Sequence, residues 1–324
     1  MSDFKTLKGL YIKHVSSDPS NLIEGQIWYN TSTQTLKVAP AIAAWAAGEA
    51  MTTAREGPMG FGIQTAAVAG GGEAAPGVTV ATEEYDGTDW TAGGDLGTAT
   101  RLGGGAGTLT AGLVFGGHAS VDRTEEYDGS SWTAGGALNT GRHGIAGTGI
   151  QTDALAVCGN PSVKDDVESY NGSSWTAETA VNTARANSAG AGATADASLV
   201  FGGYTQSPPT TSTVNTESWN GSSWTEVANL NDGRYGLGGA GTQTSAITFG
   251  GSITPGAGRT VNTEIWDGTS WTEVANMAAA RSFVGAAGTT VAAVGFGGSD
   301  PNAAVSASTE EFTIATTARS VDTT

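Results

Sequence analysis

Apolar and polar residues alternate along this chain in runs of four or five, and turns rich in Gly, Asp and Asn separate the runs. Residues 234 to 273 show the pattern in full. Arg234 is followed by Tyr-Gly-Leu-Gly-Gly-Ala, a Gly-Thr-Gln-Thr turn at 241 to 244, and the run Ser-Ala-Ile-Thr-Phe that closes on Gly250 and Gly251. After a loop come Thr263-Glu264-Ile265-Trp266, an Asp267-Gly268 turn and Trp271-Thr272-Glu273. Period-two runs of this length predict β-strands, and Asp-Gly between the last two predicts a hairpin. The four runs are strands a, b, c and d of one repeat.

The phrase returns six times, led by Arg55, Arg101, Arg142, Arg185, Arg234 and Arg281 at intervals of 41 to 49 residues, the size of a four-stranded propeller blade. In strand c a Glu stands two residues before an aromatic, and so on the same face: Glu83 with Tyr85, Glu125 with Tyr127, Glu168 with Tyr170, Glu217 with Trp219, Glu264 with Trp266 and Glu310 with Phe312. One Arg and one Glu per repeat predict a ring of partly buried ion pairs, since either charge alone is costly to desolvate. The Gly-Gly pair closing strand b predicts positive φ or close backbone approach. The third repeat reads Gly159-Asn160 there, which predicts positive φ at Asn160 and places Cys158 at the position of Phe201 and Phe249, a buried small hydrophobe.

The last repeat has no fourth strand. Trp45 stands ten residues before Arg55, the same offset as Trp132 to Arg142 and Trp271 to Arg281, so the strand around Trp45 is expected to complete the sixth blade. The sequence therefore predicts an all-β, six-bladed propeller over residues 36 to 313. An N-terminal segment, 1 to 35, precedes it, and a C-terminal tail, 314 to 324, follows.

An Arg-led strand, an apolar strand ending in Gly-Gly, then an aromatic and a Trp a few residues apart is the pattern of kelch repeats, which residues 36 to 313 resemble. Trp or Phe replaces the usual Tyr at 219, 266 and 312. The wording of the repeats, as in Tyr127-Asp-Gly-Ser-Ser-Trp-Thr133, is similar to that of Gly- and Thr-rich kelch-like proteins of marine bacteriophages. Residues 11 to 20 (Tyr-Ile-Lys-His-Val-Ser-Ser-Asp-Pro-Ser) and 24 to 38 (Glu-Gly-Gln-Ile-Trp-Tyr-Asn-Thr-Ser-Thr-Gln-Thr-Leu-Lys-Val) resemble a short module of phage tail and fibre proteins. The resemblance implies a virion component made in the host cytoplasm, with other tail or adaptor proteins as partners of the N-terminal segment. From the residues alone, 26 to 30 and 35 to 38 read as a β-hairpin, either a cap on the propeller or a docking element.

Charge and composition narrow the function. With a formal net charge of −17 the chain lacks the basic surface that nucleic acid or anionic lipid requires, and no stretch is long and apolar enough to span a membrane. Three histidines, His14, His118 and His143, and the single Cys158 show no metal-ligand spacing, so no metal or cofactor is expected. The carboxylate pairs Glu83-Glu84, Glu125-Glu126, Asp165-Asp166 and Glu310-Glu311 are adjacent on strands, which predicts one interior and one solvated acid rather than the paired acids of glycoside hydrolysis.

The a-b turns are short and alike, whereas the b-c connections run from 6 residues (118 to 123) to 12 (204 to 215). Loops on a rigid scaffold carry recognition, so His118, Tyr204, Gln206, Pro208, Pro209, Asp300 and Asn302 are candidate binding residues, with neutral loop drift as the competing account. The expected function is a non-catalytic, tail-associated or fibre-like adhesin for a host-surface glycan or protein. A decoration or collar subunit and a glycan-active enzyme are the alternatives.

Overall fold

The computed structural model describes residues 12–22, 25–205, 211–254 and 258–321, which leaves the candidate residues Gln206, Pro208 and Pro209 outside the described residues. The chain divides into two compact units, Met1–Ala44 with Thr313–Thr324, and Trp45–Phe312.

The larger unit is all-β and is built from four-stranded antiparallel sheets, an architecture compatible with a β-propeller. In chain order the sheets are Met59–Ile63, Ala66–Gly70, Thr82–Tyr85 and Trp90–Ala92; Gly104–Thr108, Ala111–Phe115, Thr124–Tyr127 and Trp132–Ala134; and Ala146–Ile150, Asp153–Gly159, Lys164–Tyr170 and Trp175–Ala177. Then follow Ala189–Thr194, Ala197–Phe201, Thr216–Trp219 and Trp224–Glu226; and Gly238–Thr242, Ser245–Phe249, Thr263–Trp266 and Trp271–Glu273. The last sheet joins Gly285–Gly288, Ala292–Phe296 and Thr309–Thr316 to Ala41–Gly48, the strand that carries Trp45. Two short hairpins, Glu73–Ala74 with Gly77–Val78 and Ser252–Ile253 with Gly258–Arg259, lie in b-c connections. Strands of two residues leave no periodicity to read.

Strand b is buried on both faces, which explains its unbroken apolar run. Strand a is made of Gly and Ala because successive a strands approach closely. A Cβ on Gly105 would lie 2.8 Å from the Gly60 carbonyl oxygen, and one on Gly147 would lie 2.6 Å from that of Gly105. Within each sheet the sizes of facing residues compensate: Gly104, Gly238 and Gly285 stand opposite Phe115, Phe249 and Phe296, whereas Met59 stands opposite Gly70 and Ala146 opposite Val157. Filling the same volume from either strand keeps the core closely packed.

That register corrects the third repeat. Val157, not Cys158, takes the position of Phe249, and the left-handed pair is Cys158 (φ 63°) and Gly159 (φ 125°), while Asn160 lies outside that region. The visible Gly in Gly159-Asn160 suggested the wrong alignment. Strand pairing counts from the facing residue instead.

Side chains also link neighbouring sheets. The indoles of Trp132, Trp175 and Trp271 donate to the Thr that opens strand c of the preceding sheet, namely Thr82, Thr124 and Thr216, and that of Trp90 donates to Thr309 of the last sheet, at 2.8 to 3.1 Å. Trp224 has Val167 at that place, and donates to the Thr179 carbonyl at 3.0 Å instead. Tyr85 and Tyr170 donate to Glu311 and Glu126 at 2.6 Å, and Tyr127 donates to Glu84. The second acid of these carboxylate pairs is thus an inter-sheet acceptor rather than a solvated charge. Burial and the adjoining carboxylates raise all three phenols above their ordinary value, Tyr170 to about 12.

The smaller unit pairs Lys13–Val15 parallel to Ile27–Asn30, which forms a hairpin with Thr35–Val38, and Arg319–Ser320 adds an edge strand. Arg319–Ser320, within the segment expected as a tail, therefore belongs to a sheet. Trp28 is fully buried, and Asp18 accepts from its indole at 3.0 Å and from Asn30 Nδ2 at 2.8 Å. These hydrogen bonds hold the Asp18 carboxyl below its usual range.

Candidate functional site

Each repeat contributes one residue with φ between 51° and 67° just before strand a: Gly57, Leu102, Gly144, Asn187, Gly236 and Phe283. Their backbones form a cycle. Each N–H donates to the carbonyl of the preceding repeat at 2.6 to 2.9 Å, and Gly57 donates to Phe283. These residues line the mouth of a cavity of about 120 Å³ whose wall is otherwise Gly, Ala, Ser188 and a few apolar side chains. A Cβ on Gly57 would sit 2.7 Å from Leu102 Cδ2, one on Gly144 2.3 Å from Asn187 Oδ1, and one on Gly236 3.0 Å from Phe283 Cδ1. Glycine is required there because the bulkier residue of the next repeat lies over it.

Two residues before each of Gly57, Gly144, Asn187, Gly236 and Phe283 stands an Arg that is paired with a Glu. Arg142 meets Glu168 at 2.7 Å, Arg234 meets Glu264 at 2.6 Å and Arg281 meets Glu310 at 2.9 Å, while Arg55 pairs with Glu83 and Arg185 with Glu217, all ten side chains being buried. The guanidinium also donates to backbone carbonyls, as Arg281 does to Gly297 and Ser308 at 2.8 and 2.6 Å. The carboxylate in turn accepts backbone N–H groups, as Glu264 does from Asn231 at 2.8 Å. These bonds offset much of the desolvation of the charges, although among the described residues the Nε groups of Arg142, Arg234 and Arg281 find no partner.

The second repeat departs from the expected ring. The carbonyl that accepts from Gly72 belongs to Thr100, just as those of Arg142 and Arg185 accept from Gly117 and Gly159, so Thr100 occupies the buried Arg position. Arg101 stands one residue later and pairs with Glu56 at 2.9 Å and with Glu73, not with Glu125. Glu125 takes its guanidinium from Arg123 at 2.6 Å. A one-residue difference in spacing is invisible when an Arg happens to follow the vacated position.

Around the mouth lie the residue after the buried position and, hydrogen-bonded to it across the sheet end, the residue after the Gly pair. These positions hold Glu56 with Glu73, Arg101 with His118, His143 with Asn160, Ala186 with Tyr204, Tyr235 with Ser252 and Ser282 with Ser299. No pair is repeated. Of the candidates, His118 is exposed in a 3-10 turn, whereas Tyr204 is only 8% exposed, its hydroxyl accepting from Asn160 Nδ2 at 2.7 Å and its ring packed edge-on against Tyr235. Asp300 turns inward on its own loop, accepting from the N–H groups of Asn302 and Ala304 at 2.8 and 2.9 Å, and Asn302 is exposed. The structure therefore pairs His118 and Tyr204 with Arg101 and Ala186, the residues that adjoin Leu102 and Asn187 of the mouth, with Tyr204 as support rather than contact surface. It adds Arg101, His143, Tyr235, Arg259 and Phe283, which loop length alone did not single out. Burial, then the charges of His118 and Arg101, hold the His143 imidazole below its ordinary pKa.

No family model matches the chain, and no curated protein matches it. Among solved structures, one titled "Structure of YjhT" is similar with a TM-score of 0.71 at 13% identity, over 84% of this chain and 99% of that one. At that identity the likeness carries the fold alone, and it agrees with a propeller-like, all-β architecture.

Proposed function

We propose that the six sheets are the blades of one propeller, that the strand of Trp45 closes its ring, and that the protein is a tail-associated or fibre-like adhesin of a bacteriophage virion. In this reading the face around the axial mouth binds a glycan or protein of the host surface without chemistry, and the smaller unit docks on other virion proteins. The observation that carries the binding role is the contrast at the mouth. The buried Arg-Glu pairs, indole-Thr links and Gly pairs each recur in five of the six repeats, whereas the residue pairs next to them are different in every repeat. A scaffold that repeats beneath a surface that does not is how rigid folds present recognition groups. The placement on a virion rests on the resemblance of residues 11 to 38 to tail and fibre modules.

Two measurements test this. Gold-labelled antibody against the purified protein is expected at the tail or its fibres, and labelling of the capsid instead would point to a decoration subunit. Purified protein is expected to adsorb to host cells, with Phe283→Ala and Tyr235→Ala reducing adsorption. Release of reducing sugar from host polysaccharide would replace the adhesin with an enzyme.

A further inference from the structure

Residues 45 to 312 contain nine Arg and Lys side chains. Eight of them, Arg55, Arg101, Arg123, Arg142, Lys164, Arg185, Arg234 and Arg281, touch a carboxylate. Arg259 is the exception among the described residues. It is half-buried in the b-c hairpin of the fifth repeat, and its guanidinium is aimed across into the sixth, Nε donating to Ser282 Oγ and Nη2 to Ser299 Oγ, both at 2.9 Å. Both serines are fully buried, so they fix the guanidinium, whose Nη1 makes no hydrogen bond among the described residues. Ser282 adjoins Phe283, whose half-buried ring lies 6.0 Å from that of Tyr235.

We propose that Arg259, Phe283 and Tyr235 form a subsite for an acidic sugar residue of a surface polysaccharide. The guanidinium takes the carboxylate or sulfate, and the aromatic rings take the apolar face of the pyranose. This rests on the reading of the mouth as a binding face, and it names the ligand class. An oriented guanidinium without a counter-ion among the described residues, in a chain that carries an excess of acid, is a place held for an anion from outside.

The test is titration of the full-length protein against immobilised polygalacturonate, dextran sulfate and dextran. Binding to one of the two acidic polymers, at least tenfold tighter than to dextran, is expected, and the stronger of the two identifies carboxylate or sulfate as the group. Arg259→Gln is expected to fold, with a somewhat lowered melting temperature from its lost serine bonds, and to weaken that binding on the order of tenfold to a hundredfold, and Arg259→Lys to weaken it less. Equal binding to dextran, no binding to either acidic polymer, or full affinity in folded Arg259→Gln overturns the subsite. Host-cell adsorption separates the two claims. If Phe283→Ala and Tyr235→Ala reduce it while Arg259→Gln does not, the face stands and the acidic subsite falls; if none of the three reduces it, the face falls as well.

Discussion

The indole Nε1 of Trp45 donates to Thr263 Oγ1 at 3.0 Å, across 218 positions of sequence. The same indole-to-Thr bond recurs between consecutive sheets, so Trp45 behaves as the strand d residue of the last sheet, with its ring 4.9 Å from Phe249 and 5.4 Å from Phe312.

Replacing Trp45 with Ala is expected to destabilise the larger unit by about 2 to 3 kcal/mol, less than for a fully buried Trp because its side chain is half-buried. Thr263→Val, which removes only the acceptor, is expected to cost about 1 kcal/mol. Denaturant unfolding reads both. Deleting residues 1 to 47 removes all but the last residue of the strand and exposes the edge of Thr309–Thr316, and aggregation on size exclusion is expected.

Arg234→Met leaves Glu264 buried without its cation and is expected to cost about 3 to 5 kcal/mol. Arg123→Ala in the second repeat is expected to cost only about 1 to 2 kcal/mol, because the Arg123 side chain is 35% exposed and water can replace it at Glu125. Equal costs would show that the two repeats hold their glutamates in the same way after all.

The raised tyrosines give an alkaline signature. A phenol whose folded pKa lies above its unfolded value of about 10 keeps its proton longer in the native state, so its contribution is complete below pH 10 and is lost as pH rises. For Tyr170 the loss runs from about pH 10 up to about 12. The triple Tyr→Phe variant at 85, 127 and 170 is expected to be less stable at neutral pH, by about 1 kcal/mol per lost bond, and to show a flatter decline in melting temperature above pH 10.

Cys158 is fully buried, and burial pushes its thiol up to about 12. Alkylation at pH 8 is expected only from the unfolded state. Cys158→Gly, which restores at φ 63° the residue the other repeats carry, is expected to change stability by less than about 1 kcal/mol, since relief of the left-handed backbone offsets the lost side chain.

Much of the scaffold was legible because its constraints are local. Asx-Gly turns, period-two runs and Gly pairs each state their strand. The exceptions were hidden by coincidences of composition: Arg101 beside the vacated place of Thr100, and Gly159 beside Asn160. The Tyr-Glu links were in plain view as Thr-Glu-Glu-Tyr against Thr-Glu-Ser-Trp and Thr-Glu-Ile-Trp, but they became readable only once the Glu was known to serve the next sheet. At the mouth, Leu102, Asn187 and Phe283 adopt a backbone that sequence patterns reserve for glycine. Arg259 could not be distinguished from a solvated loop charge until its two serines were placed.

The cycle at the mouth alternates bare glycine with a side chain, and its three side chains are an aliphatic, an amide and an aromatic. A scaffold of six like sheets would present a ligand on its axis with six equivalent rotational settings. Leu102, Asn187 and Phe283 remove that degeneracy, so anything seated there meets a surface with a single preferred azimuth.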